Sequence, residues 1–144
     1  MLEFIKISHS YDNNFVLNKF SMKLNDGEVV SLLGPSGCGK TTLLKLASGI
    51  EKLQEGEIVL NDEIISSPNT HLSPDKRKIG YVFQDCALFP HLTILQNIFF
   101  GLNSKEINAQ TKKIQNLMNE INISNLSKSY PHELSGGQQQ QVAL

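Results

Sequence analysis

A lysine and two threonines close a glycine-rich run, Gly34-Pro35-Ser36-Gly37-Cys38-Gly39-Lys40-Thr41-Thr42. The run satisfies G-x-x-x-x-G-K-[ST] at every defined position. Its glycines let the backbone turn tightly and bring several N–H groups within reach of phosphate oxygens. Lys40 adds a mobile positive charge near a transferred group, and the Thr41 hydroxyl is of the kind that ligates Mg²⁺. The chemistry so encoded is the holding of a nucleoside triphosphate.

A second run, Leu134-Ser135-Gly136-Gly137-Gln138, opens a terminal stretch with helical character. Ser135 and two bare glycine backbones at a helix start expose N–H donors suited to an anion. By itself such a run is also what an ordinary capped helix after a flexible turn looks like.

The first run works only if the order is strand, loop, helix. Glu28 to Leu33 is a short apolar strand candidate before the loop, and Thr42 to Ser48 is helical in composition after it. Upstream, Leu2 to Ser8 alternates like a half-buried strand, and Phe15 to Leu17 and Phe20 to Leu24 continue the period. Tyr11-Asp12-Asn13-Asn14 and Asn25-Asp26-Gly27 read as turns. Gly49 suits a helix end. Gly56 to Leu60 and Glu63 to Ile65 are strands joined by Asn61-Asp62, and Ile79 to Phe83 is a further β-prone run ending at Gln84. Thr93 caps a short helix to Phe100. From Ser104, read as a cap, a helix to Asn122 aligns Ile107, Ile114, Leu117, Met118 and Ile121 on one core-facing stripe.

The chain has 144 residues, 40% of them hydrophobic and 19% charged, which is the composition of one soluble globular domain. Thirteen basic against fourteen acidic residues leave a formal net charge of −1, so no global field favours nucleic acid or an anionic membrane. No apolar run reaches the ~18 to 20 residues of a membrane span, and the start lacks the pattern of a secretion signal. The reading is cytosolic, with Cys38 and Cys86 kept as free thiols. A thiol between Gly37 and Gly39 is placed so that its alkylation should compete with nucleotide. His9, His71, His91 and His132 fall in polar or loop contexts without metal-ligand spacing, and Lys76-Arg77-Lys78 reads as a solvated basic cluster.

With both glycine runs in hand, the chain resembles ABC-type ATPases. Leu134-Ser135-Gly136-Gly137-Gln138 matches their signature, Gln84 after a β-prone run matches their glutamine loop, and Tyr11 sits where they carry an aromatic. Tyr81 to Thr93 and Tyr130 to Gln140 look like ATP-binding subunits of bacterial importers, ferric-iron importers being the nearest in kind. The resemblance implies an α/β fold: a P-loop NTPase core with an antiparallel β subdomain and a helical signature subdomain, lacking the C-terminal part of the core sheet. It divides the chain at 1–84, β subdomain and phosphate-loop core, and 85–144, helical subdomain ending in the signature helix.

The resemblance further implies the cofactors ATP and Mg²⁺. Tyr11 would stack on adenine; Gly34, Pro35, Ser36, Gly37, Cys38 and Gly39 would wrap the phosphates, with Lys40, Thr41 and Thr42 following. Lys40 and Gln84 would be catalytic, and Thr41 and Gln84 would face the metal. Ser135, Gly136, Gly137 and Gln138 would complete the site of an opposite protomer, so that two chains sandwich two ATP molecules. The implied partners are permease transmembrane subunits and a second ATP-binding subunit, without nucleic acid, on the cytoplasmic face of a bacterial inner membrane.

Relatives of this kind carry, after the signature helix, an acidic strand end near Mg²⁺, a glutamate that orients water and a histidine that senses the γ-phosphate. The chain stops at Leu144 without them, so it is expected to be truncated, to bind ATP weakly and not to hydrolyse it. Gln141 stands where the family usually has arginine. Two other readings stay open: a non-catalytic fragment regulating a full-length homologue, and a soluble ABC ATPase of translation or DNA repair.

Overall fold

The structure is a computed structural model that describes residues 1–12 and 14–144; Asn13, assigned above to a turn, lies outside the described residues. The chain forms two compact units, Met1–Tyr81 and Val82–Leu144.

The first unit is built on an antiparallel sheet of five strands: β1 (Leu2–Tyr11), β2 (Asn14–Leu24), β3 (Glu55–Leu60), β4 (Glu63–Ser67) and β5 (Thr70–His71), in the order β2-β1-β3-β4-β5. The two upstream runs form one long strand, β2. β3 and β4 meet at Asn61 and Asp62, both at positive φ (48° and 67°), the backbone a two-residue hairpin turn demands.

One face of the sheet receives helix α1 (Lys40–Ser48). Leu43, Leu46 and Ala47 of α1 pack with Phe4, Ile7, Leu17, Ile58 and Ile65 in a single buried cluster. Strict alternation from Phe4 would point Lys6 and Ser8 inward. Instead the register against β2 shifts between Phe4 and Ile7, with Lys6 at φ 47°, and again between Ile7 and His9, so Lys6 stays exposed while Ile7, Ser8 and His9 are all buried. His9, placed above in a polar context, is therefore buried on β1.

Two strand expectations are corrected. Glu28 to Leu33 and Ile79 to Phe83 join no ladder. Val29 and Leu33 are 92% and 91% exposed, although Leu32 leans on the core. A β-prone sequence supplies only one side of a strand pair, and a ladder needs a second strand in register beside it.

The second unit holds α2 (Ile94–Phe99), α3 (Ser104–Glu120) and α4 (Gly136–Ala143), joined by short 3₁₀ turns at Ser124–Leu126 and Pro131–Glu133. Thr93 caps α2 in a reciprocal box with Gln96. The cap of α3 is Asn103, not Ser104: its side chain accepts from the N–H groups of Lys105 and Glu106, while the Glu106 carboxylate accepts from the Asn103 N–H. On the α3 stripe Met118 is buried, whereas Leu117 is half exposed, so this helix is core-facing over part of its length only.

Candidate functional site

The phosphate-loop candidate runs from the extended segment 28–35 into α1. Gly39, the residue before the helix, has φ 90°, and a Cβ there would lie 2.5 Å from the Val16 carbonyl oxygen. Only glycine lets β2 and the loop approach this closely. No side chain caps α1 at this end. The first-turn N–H groups, Lys40 to Thr42, lack intrahelical acceptors by helix geometry and carry the positive end of the helix dipole. Thr41 is exposed and Thr42 buried.

Lys40 folds back over this turn. Its Nζ donates to the carbonyl oxygens of Gly34 (2.8 Å) and Pro35 (2.9 Å) and lies 3.4 Å from Cys38 Sγ. The loop thus holds a cation against its own carbonyls next to the first turn of α1, with Gly34, Pro35, Ser36, Gly37 and Cys38 all exposed and the Cys38 N–H donating to Pro35 O at 3.4 Å. The donor set fits a polyphosphate with its divalent metal: backbone amides, one ammonium, one free hydroxyl.

Tyr11 ends β1, opposite Asn14 and so on the end of the sheet where Val16 meets Gly39. Its ring is 41% exposed and its hydroxyl donates to Glu51 Oε2 at 3.4 Å. His9 stands edge-on to it, centroids 4.8 Å apart at 74°. An exposed aromatic held at the rim of a phosphate loop has the shape and polarisable face that a purine base stacks on.

The remaining candidates fall in the second unit. Gln84 is exposed and begins a tight turn in which Cys86 N–H donates to Phe83 O at 3.0 Å. Ser135 caps α4: its Oγ accepts from Gln138 N–H at 3.3 Å, and Gln138 Oε1 accepts from Ser135 N–H at 2.9 Å. Gly136 and Gly137 are exposed, with open space on their side-chain faces. The Gln138 side chain is thus committed to its own helix cap, while the glycine backbone stays bare. Gln141 is exposed near the helix end.

Two residues of consequence escape a reading by motif. Asn97 of α2 clamps the segment after Gln84, accepting from Phe89 N–H at 2.8 Å and donating to the carbonyls of Phe89, Leu92 and Thr93 at 3.0 to 3.2 Å. Its signal is its position four residues after the Thr93 cap. Arg77, read above as solvated, is 1% exposed. Its signal is that it is the sole arginine in a chain that otherwise uses lysine. Burial pulls its pKa below the ordinary arginine value, yet a guanidinium keeps its charge.

Comparison with known proteins assigns the chain to a family. The sequence profile of the ABC transporter family matches residues 17–144. The spermidine/putrescine import ATP-binding protein PotA of Haemophilus influenzae (strain Rd) is 41% identical over 100% of this chain and 38% of its own length. That of Legionella pneumophila is 42% identical over 100% of this chain and 39% of its own length. The chain therefore spans about two fifths of the length of these curated relatives. Among solved structures, the dimeric ATP-binding cassette MJ0796, bound to ADP and Pi in a post-hydrolysis state, superposes with a TM-score of 0.77 at 29% identity, covering 99% of this chain and 67% of that one. A second dimeric MJ0796 structure gives a TM-score of 0.78 at 28% identity, covering 99% of this chain and 67% of that one.

Proposed function

This chain belongs to the ABC transporter family, and on that premise we propose that it is the ATP-binding part of an importer's ATPase subunit, working at the cytoplasmic face of a bacterial inner membrane. The observation that carries the reading is the loop: an uncapped helix start with Lys40 folded over it and Gly39 held against Val16. Among the described residues no helix is long and apolar enough to cross a membrane, so on this reading the contact with the membrane is made through permease subunits.

Bound Mg·ATP supplies the phosphoanhydride whose cleavage drives transport. Lys40 would exchange its two loop carbonyls for phosphate oxygens, and the first-turn N–H groups of Lys40 to Thr42 would hold the rest of the charge. Thr41 would offer its hydroxyl to the metal and Tyr11 would hold the base, and for Gln84 the reading keeps the role that the family's glutamine loop implies. Ser135, Gly136 and Gly137 of one protomer complete the site of the other, with Gln138 fixing their helix cap. Two such sandwiched sites turn nucleotide binding into closure of a dimer and its loss into opening.

Polyamine is the cargo class this reading favours, since the relatives named above import spermidine and putrescine. The ferric-iron likeness finds no support among them. A role as regulator of a homologue is likewise not favoured, because the relatives cover the whole chain as import ATPase subunits.

The chain contains no tryptophan, so Tyr11→Trp makes a reporter of its own. Mg·ATP should quench its fluorescence saturably, while tripolyphosphate at equal occupancy should leave it unchanged. Equal responses to both ligands would remove Tyr11 from the adenine site.

A further inference from the structure

Arg77 is a buried cation with no acidic partner: the ion pairs among the described residues involve Lys23 with Glu3 and the N-terminus with Asp26. Its guanidinium is satisfied by neutral oxygens and one ring nitrogen. Nε donates to Leu72 O (2.6 Å), one terminal nitrogen to Leu46 O (2.7 Å) and Ala47 O (3.0 Å), and the other to Ser66 Oγ (3.3 Å), with His71 Nδ1 also at 3.3 Å. Leu46 and Ala47 belong to the last turn of α1, whose carbonyls carry the negative end of the helix dipole; Leu46 O also accepts from the Gly49 N–H at 3.3 Å. Their first-turn counterparts are the amides of the phosphate loop. The cation and the phosphate site therefore sit at opposite ends of one nine-residue helix.

Gly49 makes this contact possible. It ends α1 at φ 83°, and a Cβ there would run into Arg77 Nε and Cζ. The fork then reaches under the helix end to β4, through Ser66, and to the segment after β5, through Leu72. A helix of this length is a rigid rod of about 13 Å, so a shift at one end appears at the other.

We propose that Arg77 is a positioning residue for the phosphate loop, terminating α1 and tying its last turn to β4 and to the segment after β5, so that the N–H groups of Lys40 to Thr42 stay aimed at phosphate. The inference rests on the nucleotide reading above, because the geometry it fixes is that of the ATP-holding turn. No lysine can substitute in full, since an ammonium has three donors and no planar fork.

His71 adds a chemical handle. It accepts from Arg77 only in the neutral tautomer whose Nδ1 carries no proton. The groups facing it are the cations Arg77 and Lys52 and the Gly49 backbone; burial, then Arg77 and Lys52, holds its pKa below the ordinary histidine value. The unfolded chain thus binds this proton first. Stability from the contact is full above about pH 6.5 and falls as pH drops below that toward the lowered value.

The test titrates Mg·ATP into the purified chain and its Arg77→Met, Arg77→Lys and His71→Gln variants, well below each unfolding midpoint. Amide exchange is measured alongside. Arg77→Met should weaken Mg·ATP about tenfold or more, the effect of losing one or two charge-assisted contacts. It should also speed exchange at Lys40 to Leu43 and leave the β1–β2 ladder unchanged. Arg77→Lys should recover part of both. His71→Gln should match wild type at about pH 7.5 and lose the weakening that the wild type shows as pH falls below about 6.5. A folded Arg77→Met with affinity within about twofold of wild type and unchanged α1 exchange overturns the proposal, and the same criterion applies to Arg77→Lys if the methionine variant does not fold. A wild type that fails to bind Mg·ATP, while α1 exchange still answers to Arg77, rejects the nucleotide reading and keeps the positioning role.

Discussion

Three side chains of the first unit show how burial and charge divide structural from binding work. Lys40 is held by two carbonyls it can give up, Arg77 by four oxygens it cannot. His9 differs from both: it is 1% exposed, and neither ring nitrogen has a hydrogen-bond partner among the described residues. An unpartnered buried polar group costs about 1–3 kcal/mol. His9→Leu, of similar volume, should therefore raise the stability of the first unit by about 1 kcal/mol in chemical denaturation. A fall in the midpoint would mean that the imidazole finds partners in solution. The phosphate loop was legible in the sequence because its chemistry is local, nine consecutive residues whose types state their purpose. Arg77 was not, because a charged residue flanked by two lysines reads as surface, and only the end of α1, far away in sequence, supplies the carbonyls that take it in. His9 was misplaced for a related reason: the bulge at Lys6 that turns it inward is a property of the β1–β2 pairing.

Elements follow the same division. Caps and hairpin turns, encoded within four residues, came through at Thr93, Ser135 and Asn61-Asp62. The cap of α3 slipped by one residue because Asn103 and Ser104 are both good caps, and only Asn103 has Glu106 three residues on to close the box. Strands 28–33 and 79–83 were over-read because composition says nothing of the partner a ladder requires. Within the second unit α2 carries the clearest mechanical role. Asn97 holds the segment from Phe89 to Thr93, downstream of Gln84, by four hydrogen bonds. Asn97→Ala should cost about 1–3 kcal/mol and raise amide exchange at Phe89 to Leu92, with α3 unaffected. Unchanged exchange there would show that the segment is held by its aromatic contacts, such as the Phe89–Phe100 pair at 4.1 Å.

At the scale of the molecule, the first unit carries an uncapped helix start at Lys40 to Thr42, and the second a capped one whose first two residues, Gly136 and Gly137, are bare and exposed. The family match spans both. An apolar groove of about 430 Å³ in the second unit, lined by Phe89, Phe100, Leu117, Met118, Val142 and Leu144 among others, lies beside the segment that Asn97 holds. On the importer reading this segment is where a permease would be felt. Every part of that reading depends on the first unit capturing nucleotide through its loop. Equilibrium binding of labelled Mg·ATP to the purified chain, compared with Lys40→Ala, tests this most directly. Saturable binding by the chain, lost in a Lys40→Ala variant that remains folded, is the result expected; no binding, or binding that Lys40→Ala leaves unchanged, would contradict it.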